Sequence, residues 1–192
     1  ALAAGTLIIP VGSGTDEALC LIQQADGRLV LAGNSIVAGK QDFSIVRLNL
    51  DGTRDTSFDL DGRAFVDVSG FDDRAYGVVQ QADGKLVLGG WSNNAAGGLD
   101  FSLARLNSDG SLDTSFGGDG KVQIDVAGNN DVGYSMIRQI DGKLVLSGWT
   151  HNGINGDFSL IRVNGDGSLD TSFGDDGKVQ IAPFVETHPL DD

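Results

Sequence analysis

Gln81-Ala82-Asp83-Gly84-Lys85-Leu86-Val87-Leu88 occurs twice more in this chain with small changes. It reads Gln24-Ala25-Asp26-Gly27-Arg28-Leu29-Val30-Leu31 upstream and Gln139-Ile140-Asp141-Gly142-Lys143-Leu144-Val145-Leu146 downstream. Other blocks keep step with it. Asp42-Phe43-Ser44 returns at Asp100 and Asp157, and Asp55-Thr56-Ser57-Phe58 returns at Asp113 and Asp170. Every offset is about 57 residues, and self-similarity at a fixed period is the mark of a repeat architecture. The chain reads as a single repeat domain, 1–192, with units at 5–62, 63–120 and 121–177. A partial fourth unit, 178–192, opens with Lys178-Val179-Gln180-Ile181, a copy of Lys121-Val122-Gln123-Ile124, and then departs from the pattern.

Each unit predicts four short strands. In the second they are Ala64–Val68, Ala75–Gln81, Lys85–Trp91 and Asp100–Asn107. Asp83-Gly84 is a two-residue hairpin signal, since both central residues of such a turn take positive φ. Leu86-Val87-Leu88 and Phe101-Ser102-Leu103-Ala104 put apolar or small side chains on both strand faces, as a sheet covered on both sides requires. No helical period is sustained. The fold class is therefore all-β and β-propeller-like, with tandem four-stranded antiparallel blades. A parallel β-solenoid is the rival, but its coils are usually shorter and lack these hairpins. Propellers typically hold 4–8 blades, and three leave two open ends. The expected partners are flanking repeats or a second copy, with the Lys178–Ile181 strand of one chain filling a gap in the other.

Composition narrows the function classes. Of 27 acidic residues only Glu17 and Glu186 are Glu, and Gly numbers 29. Asp and Gly favour turns. The net charge of −14 repels nucleic acid and anionic lipid. No apolar run approaches the roughly 20 residues of a membrane helix. Cys20 is the only cysteine, so no disulfide closes within the chain. The Ala1–Gly5 start has the small residues of a signal-cleavage site or a trimmed end.

Three sets of residues are candidates for chemistry. The first is the recurring Asn-x-Asp-Gly-x-x-Asp turn: Asn49, Asp51 and Asp55; Asn107, Asp109 and Asp113; Asn164, Asp166 and Asp170. Alternating oxygens about a glycine turn suit Ca²⁺, which takes 6–8 oxygen ligands. The competing reading is an Asp-Gly turn whose side chains bond nearby backbone N–H groups. The second set is Asn34, Trp91 and Trp149, equivalent positions beside the variable loops 35–41, 92–99 and 150–156, with His151 in the last. Aromatics there either pack between blades or stack on carbohydrate or peptide ligands. Tyr76, Tyr134 and Leu19 read as core-facing. The third set is a repeated strand arginine, Arg47, Arg105 and Arg162, which needs a partner when buried. Asp42, Asp100 and Asp157 lie five residues before it, and Asp55, Asp113 and Asp170 are the expected bridge partners. No nucleophile–base–orienter set and no phosphate loop stands out, so no catalytic residue is expected.

The segment 101–122, FSLARLNSDGSLDTSFGGDGKV, together with the Gln139–Gly148 block, resembles the delta-60 repeat. The likeness covers nearly the whole chain. It implies a β-propeller from bacterial, often secreted or surface-attached proteins, which usually carry more than three copies. It brings no catalytic residues with it. The expectation is thus a non-catalytic module outside the cell or on its surface, acting as a binding or adhesion scaffold. The alternatives are a self-assembly module that closes a ring or fibre, and a polysaccharide-active enzyme.

Overall fold

The Asp-Gly pairs fix the first level of structure, though not in the expected turn. In the computed structural model, which describes residues 9–151, 153–174 and 176–181, only the glycine of each pair is left-handed. Gly27, Gly84 and Gly142 have φ of 88–89°, and the preceding Asp residues keep ordinary negative φ. Gln81 N donates to Lys85 O (2.8 Å), and Gly84 N donates to Gln81 O (3.0 Å). That is a three-residue loop with its glycine in the αL position. The Asp carboxylate accepts from the N–H two residues on, at 3.2 Å for Asp83 and Lys85. The turn with two positive φ values occurs elsewhere, at Ala38-Gly39 (φ 51° and 87°).

Twelve strands are described. They are β1 (Asp16–Gln23), β2 (Leu29–Val37), β3 (Lys40–Leu48), β4 (Arg63–Val66), β5 (Asp73–Gln80), β6 (Leu86–Asn93), β7 (Leu99–Leu106), β8 (Lys121–Ile124), β9 (Asp131–Arg138), β10 (Leu144–His151), β11 (Gly156–Val163) and β12 (Lys178–Ile181). They form three antiparallel sheets, or blades, in the orders β1-β2-β3-β4, β5-β6-β7-β8 and β9-β10-β11-β12.

The blades are out of phase with the sequence units. The strand that opens the second unit, near Ala64, pairs with β3 and closes the first blade. The polar stretch after it, about 67–72, is the crossing between blades. A periodic sequence has no intrinsic start, so the unit boundary is a matter of counting while the sheet boundary is a matter of pairing. One expectation is corrected as a result. Lys178–Ile181 pairs with β11 inside its own chain, so it is not free to fill a gap in another. The Ala1–Gly5 start and the divergent tail after 181, including His188, lie outside the described residues.

The blades stack through their broad faces. Val30, Ala32, Phe43 and Ile45 of blade 1 meet Ala75, Val78, Leu86 and Leu88 of blade 2. Phe101, Leu103 and Val87 of blade 2 meet Met136, Leu144 and Leu146 of blade 3 in the same way. This is the two-sided burial the apolar strands called for. At the end of the stack the pattern breaks. Phe43 and Phe101 are 0% exposed, whereas Phe158, their equivalent on blade 3, is 76% exposed.

Candidate functional site

Each first strand carries a β-bulge at the same place. Pairing slips between Ala18 and Cys20, between Ala75 and Gly77, and between Gly133 and Ser135. The extra residues are Leu19, Tyr76 and Tyr134. A glycine faces each bulge because nothing larger fits: a Cβ on Gly90 would lie 1.9 Å from Arg74 O, and one on Gly148 would lie 1.8 Å from Val132 O. A bulge re-aims its side chain, and this corrects the core-facing reading. Leu19 and Tyr134 are exposed and Tyr76 is half-buried. Tyr76 and Tyr134 meet edge to face across the blade seam, with centroids 5.3 Å apart. Trp149 Nε1 donates to Tyr134 Oη at 3.1 Å. Tyr76, Tyr134 and Trp149 thus form one aromatic strip over blades 2 and 3.

The predicted ligand-binding residues distribute unevenly about that strip. Trp149 belongs to it. Trp91 is half-buried, with the Arg74 guanidinium 5.9 Å from its ring. Asn34 is buried, its Nδ2 directed to Gln41 Oε1 at 3.5 Å, so it presents no surface. His151 ends β10, and its Nδ1 accepts from Gly153 N at 3.1 Å. Cys20 is half-buried, and burial pushes its thiol up to about 11. It is an inert group at ordinary pH.

The Asn-x-Asp-Gly-x-x-Asp turns commit their oxygens internally. Asp109 Oδ1 accepts from Ser111 N (3.0 Å) and Ser111 Oγ (2.6 Å), and Asn107 Nδ2 donates to Ser111 Oγ (3.0 Å). Asp51 and Asp166 make the same pair of bonds to Thr53 and Ser168, and Asn49 and Asn164 donate to those same hydroxyls. Asp113 Oδ1 accepts from Ser115, while Oδ2 meets Arg105 Nε at 2.7 Å and Lys85 Nζ at 2.9 Å. Asp55 pairs with Arg47 and Arg28, and Asp170 with Arg162 and Lys143. A Ca²⁺ ion at these turns would have to displace hydroxyls on one side and cations on the other. Burial alone would raise Asp113, but the Ser115 hydroxyl and the Lys85 and Arg105 charges hold it well below the usual carboxylate range.

The arginines also join blade to blade. Arg47 Nη1 donates to Ser108 O at 2.6 Å, and Arg105 Nη1 donates to Gly165 O. Each thus reaches a turn of the following blade. Their guanidiniums lie 4.6 and 4.7 Å from the Phe58 and Phe116 ring centroids, in cation–π range.

Asp42, Asp100 and Asp157 do not pair with these arginines. Five residues along a strand is an odd step, which puts the two side chains on opposite faces. Instead Asp42, Asp67 and Asp73 gather with carboxylate oxygens within 4.8 Å of one another, and Asp100, Asp125 and Asp131 do the same. In each trio two acids are buried and one is exposed. Burial pushes Asp42 up to about 6, assisted by Asp67, and pushes Asp73 up to about 6 against its bonds from Ser69 and Val68. Asp100 and Asp131 are likewise raised, first by burial and also by Asp125. Asp16 holds the equivalent place in blade 1 with Pro10 where the acid would be. Burial works to raise it too, but bonds from Val11 and Gly12 win and it is lowered. The sequence signal for these trios is the pair Asp67…Asp73 echoed by Asp125…Asp131.

Among protein-family models, residues 24–58, 81–116 and 139–173 each match one described as a domain of unknown function (DUF5122) beta-propeller. Together the matches span more than half of the chain. Each runs from an Asp-Gly hairpin to the phenylalanine beneath an arginine, at Phe58, Phe116 and Phe173. No curated protein gave a match.

Proposed function

The chain belongs to the DUF5122 beta-propeller family, and from that premise we propose that it is a non-catalytic propeller module acting as a binding and adhesion scaffold outside the cell or on its surface. The observation that carries this reading is the Tyr76–Tyr134–Trp149 strip. Two tyrosines on bulges and Trp149 of the adjoining strand are held in contact with one another at the surface. Rigid aromatics with a polar tip suit stacking on sugar rings or peptide side chains. The recurring carboxylates and arginines serve the same structural bonds in each blade, which supports a scaffold rather than an enzyme. The resemblance to the delta-60 repeat and the net charge of −14 support a soluble, extracellular setting.

Glycan and peptide arrays probed with the intact chain test this. Hits should weaken roughly tenfold or more in Trp149→Ala and Tyr134→Ala, the usual loss at an aromatic hot spot. Hits that bind both variants as well as they bind the parent chain would refute the reading. Recovery of the native protein only from the cell interior would refute the extracellular placement.

A second reading rests on Phe158. Its exposure where Phe43 and Phe101 have none favours a further blade stacking on blade 3, from a second copy or from flanking repeats. Two copies stacked head to tail would supply six blades. Sedimentation of the chain as a monomer at every concentration would exclude the two-copy form.

A further inference from the structure

We infer that Asp100, Asp125 and Asp131 form a divalent-cation site, suited to Ca²⁺, at the seam between blades 2 and 3, and that Asp42, Asp67 and Asp73 form its counterpart between blades 1 and 2. Each trio is assembled from both blades. Asp100 lies on β7 and Asp125 just after β8, while Asp131 is the first residue of β9. Their ligand oxygens lie within 4.8 Å of one another. Three ionised carboxylates at that separation repel strongly in a partly buried setting. A cation among them turns the repulsion into attraction and ties two blades together.

One buried member of each trio, Asp131 and Asp42, points to a missing ligand. Asp131 is 0% exposed, and its Oδ1 has no hydrogen-bond partner. Its Oδ2 accepts from Val126 N, while Ala127 N and the Thr150 hydroxyl, itself paired with Ser159 Oγ, favour its charge from nearby without closing a bond on Oδ1. In the other trio Asp42 is 6% exposed and no hydrogen bond or ion pair among the described residues reaches its carboxylate, whereas Asp73 is bonded by Val68 N and Ser69 Oγ. Leaving a buried carboxylate oxygen without a donor or cation is costly. The turns considered earlier have no such vacancy, because their oxygens are bonded.

The two seams are not equal. Lys40 Nζ lies 3.8 Å from Asp67 Oδ2 and partly offsets the first trio. Gly98 stands at the Lys40 position in the second unit, and no ion pair among the described residues reaches Asp100, Asp125 or Asp131. The second seam is therefore the stronger site. All donors are oxygens, which selects a hard cation over zinc. Exposed Asp125 leaves one side open for waters to complete the 6–8 ligands Ca²⁺ takes. No third site is expected, since Ala182-Pro183 replaces the Asp125-Val126 pair.

The test uses the intact chain, stripped with EDTA and returned to chelator-free buffer near neutral pH. Calorimetric titration with Ca²⁺ alone should show two ions per chain of unequal affinity. At a hundredfold excess over Kd the melting temperature should rise by roughly 5 °C or more. Asp67 and Asp125 are exposed, so their amides should fold normally, as circular dichroism can verify. D125N should lose the tighter ion, D67N the weaker one, and the double variant both ions and the whole thermal shift. Three results would overturn the inference. The first is a parent chain that neither binds nor is stabilised by millimolar Ca²⁺. The second is a double variant that keeps the full shift, placing the ion elsewhere. The third is a D125N chain more stable than the parent whether or not Ca²⁺ is present.

Discussion

Arg105 and Arg162 hold the same position in successive blades and end in different company. Both reach an aspartate, at 2.7 Å for Asp113 and 2.6 Å for Asp170, and both lie over a phenylalanine. Arg105 also donates to Gly165 O of the next blade, and its side chain is 7% exposed. Arg162 has no following blade among the described residues, and its side chain is 18% exposed. The backbone repeats the contrast. Gly117 N donates to Asp166 O at 3.0 Å, as Asp59 N does to Asp109 O at 2.6 Å one seam earlier. One blade is thus an incomplete object. Its turn, its arginine and its phenylalanine are finished by the neighbour, as expected of repeats whose stability is partly an interface term.

Three pairs of substitutions sharpen or break this contrast. The largest effect is expected from phenylalanine. Phe101→Ala should cost about 3–5 kcal/mol in urea unfolding, since the ring is wholly enclosed between blades. Phe158→Ala should cost less than about 0.5 kcal/mol in the monomeric chain. Equal losses would mean that the end face is covered after all. Next comes arginine. Arg105→Ala strands the Gly165 carbonyl at the blade seam, although Lys85 still holds Asp113, and should cost about 2–3 kcal/mol. Arg162→Ala should cost nearer 1 kcal/mol, because its side chain is more exposed and donates to no following blade among the described residues. Arg105→Lys should fall between them, keeping charge but losing the fork that spans Asp113 and Gly165 O.

The smallest effect concerns acid. Asp55, Asp113 and Asp170 are all held below the ordinary carboxylate range in the folded chain. Below about pH 4 the unfolded chain takes up protons at these positions while the folded chain does not. Their stabilisation is therefore full above that pH and lost as pH falls further. Lys143 is the leading influence on Asp170, ahead of Ser172 and Arg162. Unfolding followed from pH 5 to 2 should accordingly give a shallower acid limb in Lys143→Met than in Arg162→Ala. The reverse order would remove Lys143 from that role.

What could be read in the sequence was local or periodic. Asp83-Gly84 marks a turn within four residues, Leu86-Val87-Leu88 marks a strand covered on both faces, and Arg105 in an apolar strand demands an acid. What could not be read was relational. The bulge at Tyr134 is one residue added to an otherwise alternating strand, and only its partner, Gly148, reveals it. The Asp42 trio draws on three segments and two blades, so the five-residue spacing to Arg47 said nothing of where Asp42 goes. Asn34 aligns with two half-buried tryptophans yet is itself buried, with its amide directed to Gln41, because equivalent positions do not guarantee equivalent exposure.

The mismatch between sequence unit and sheet has a practical consequence. The short strand at Arg63–Val66 belongs by repetition to one unit and by hydrogen bonding to the previous one, so the covalent chain laces each blade to the next. An expression clone cut at 62/63, where the sequence unit begins, would leave one sheet with three strands and the next fragment with an orphan. Cuts through the crossing at 67–72 would instead release whole sheets, each with its complement of four strands.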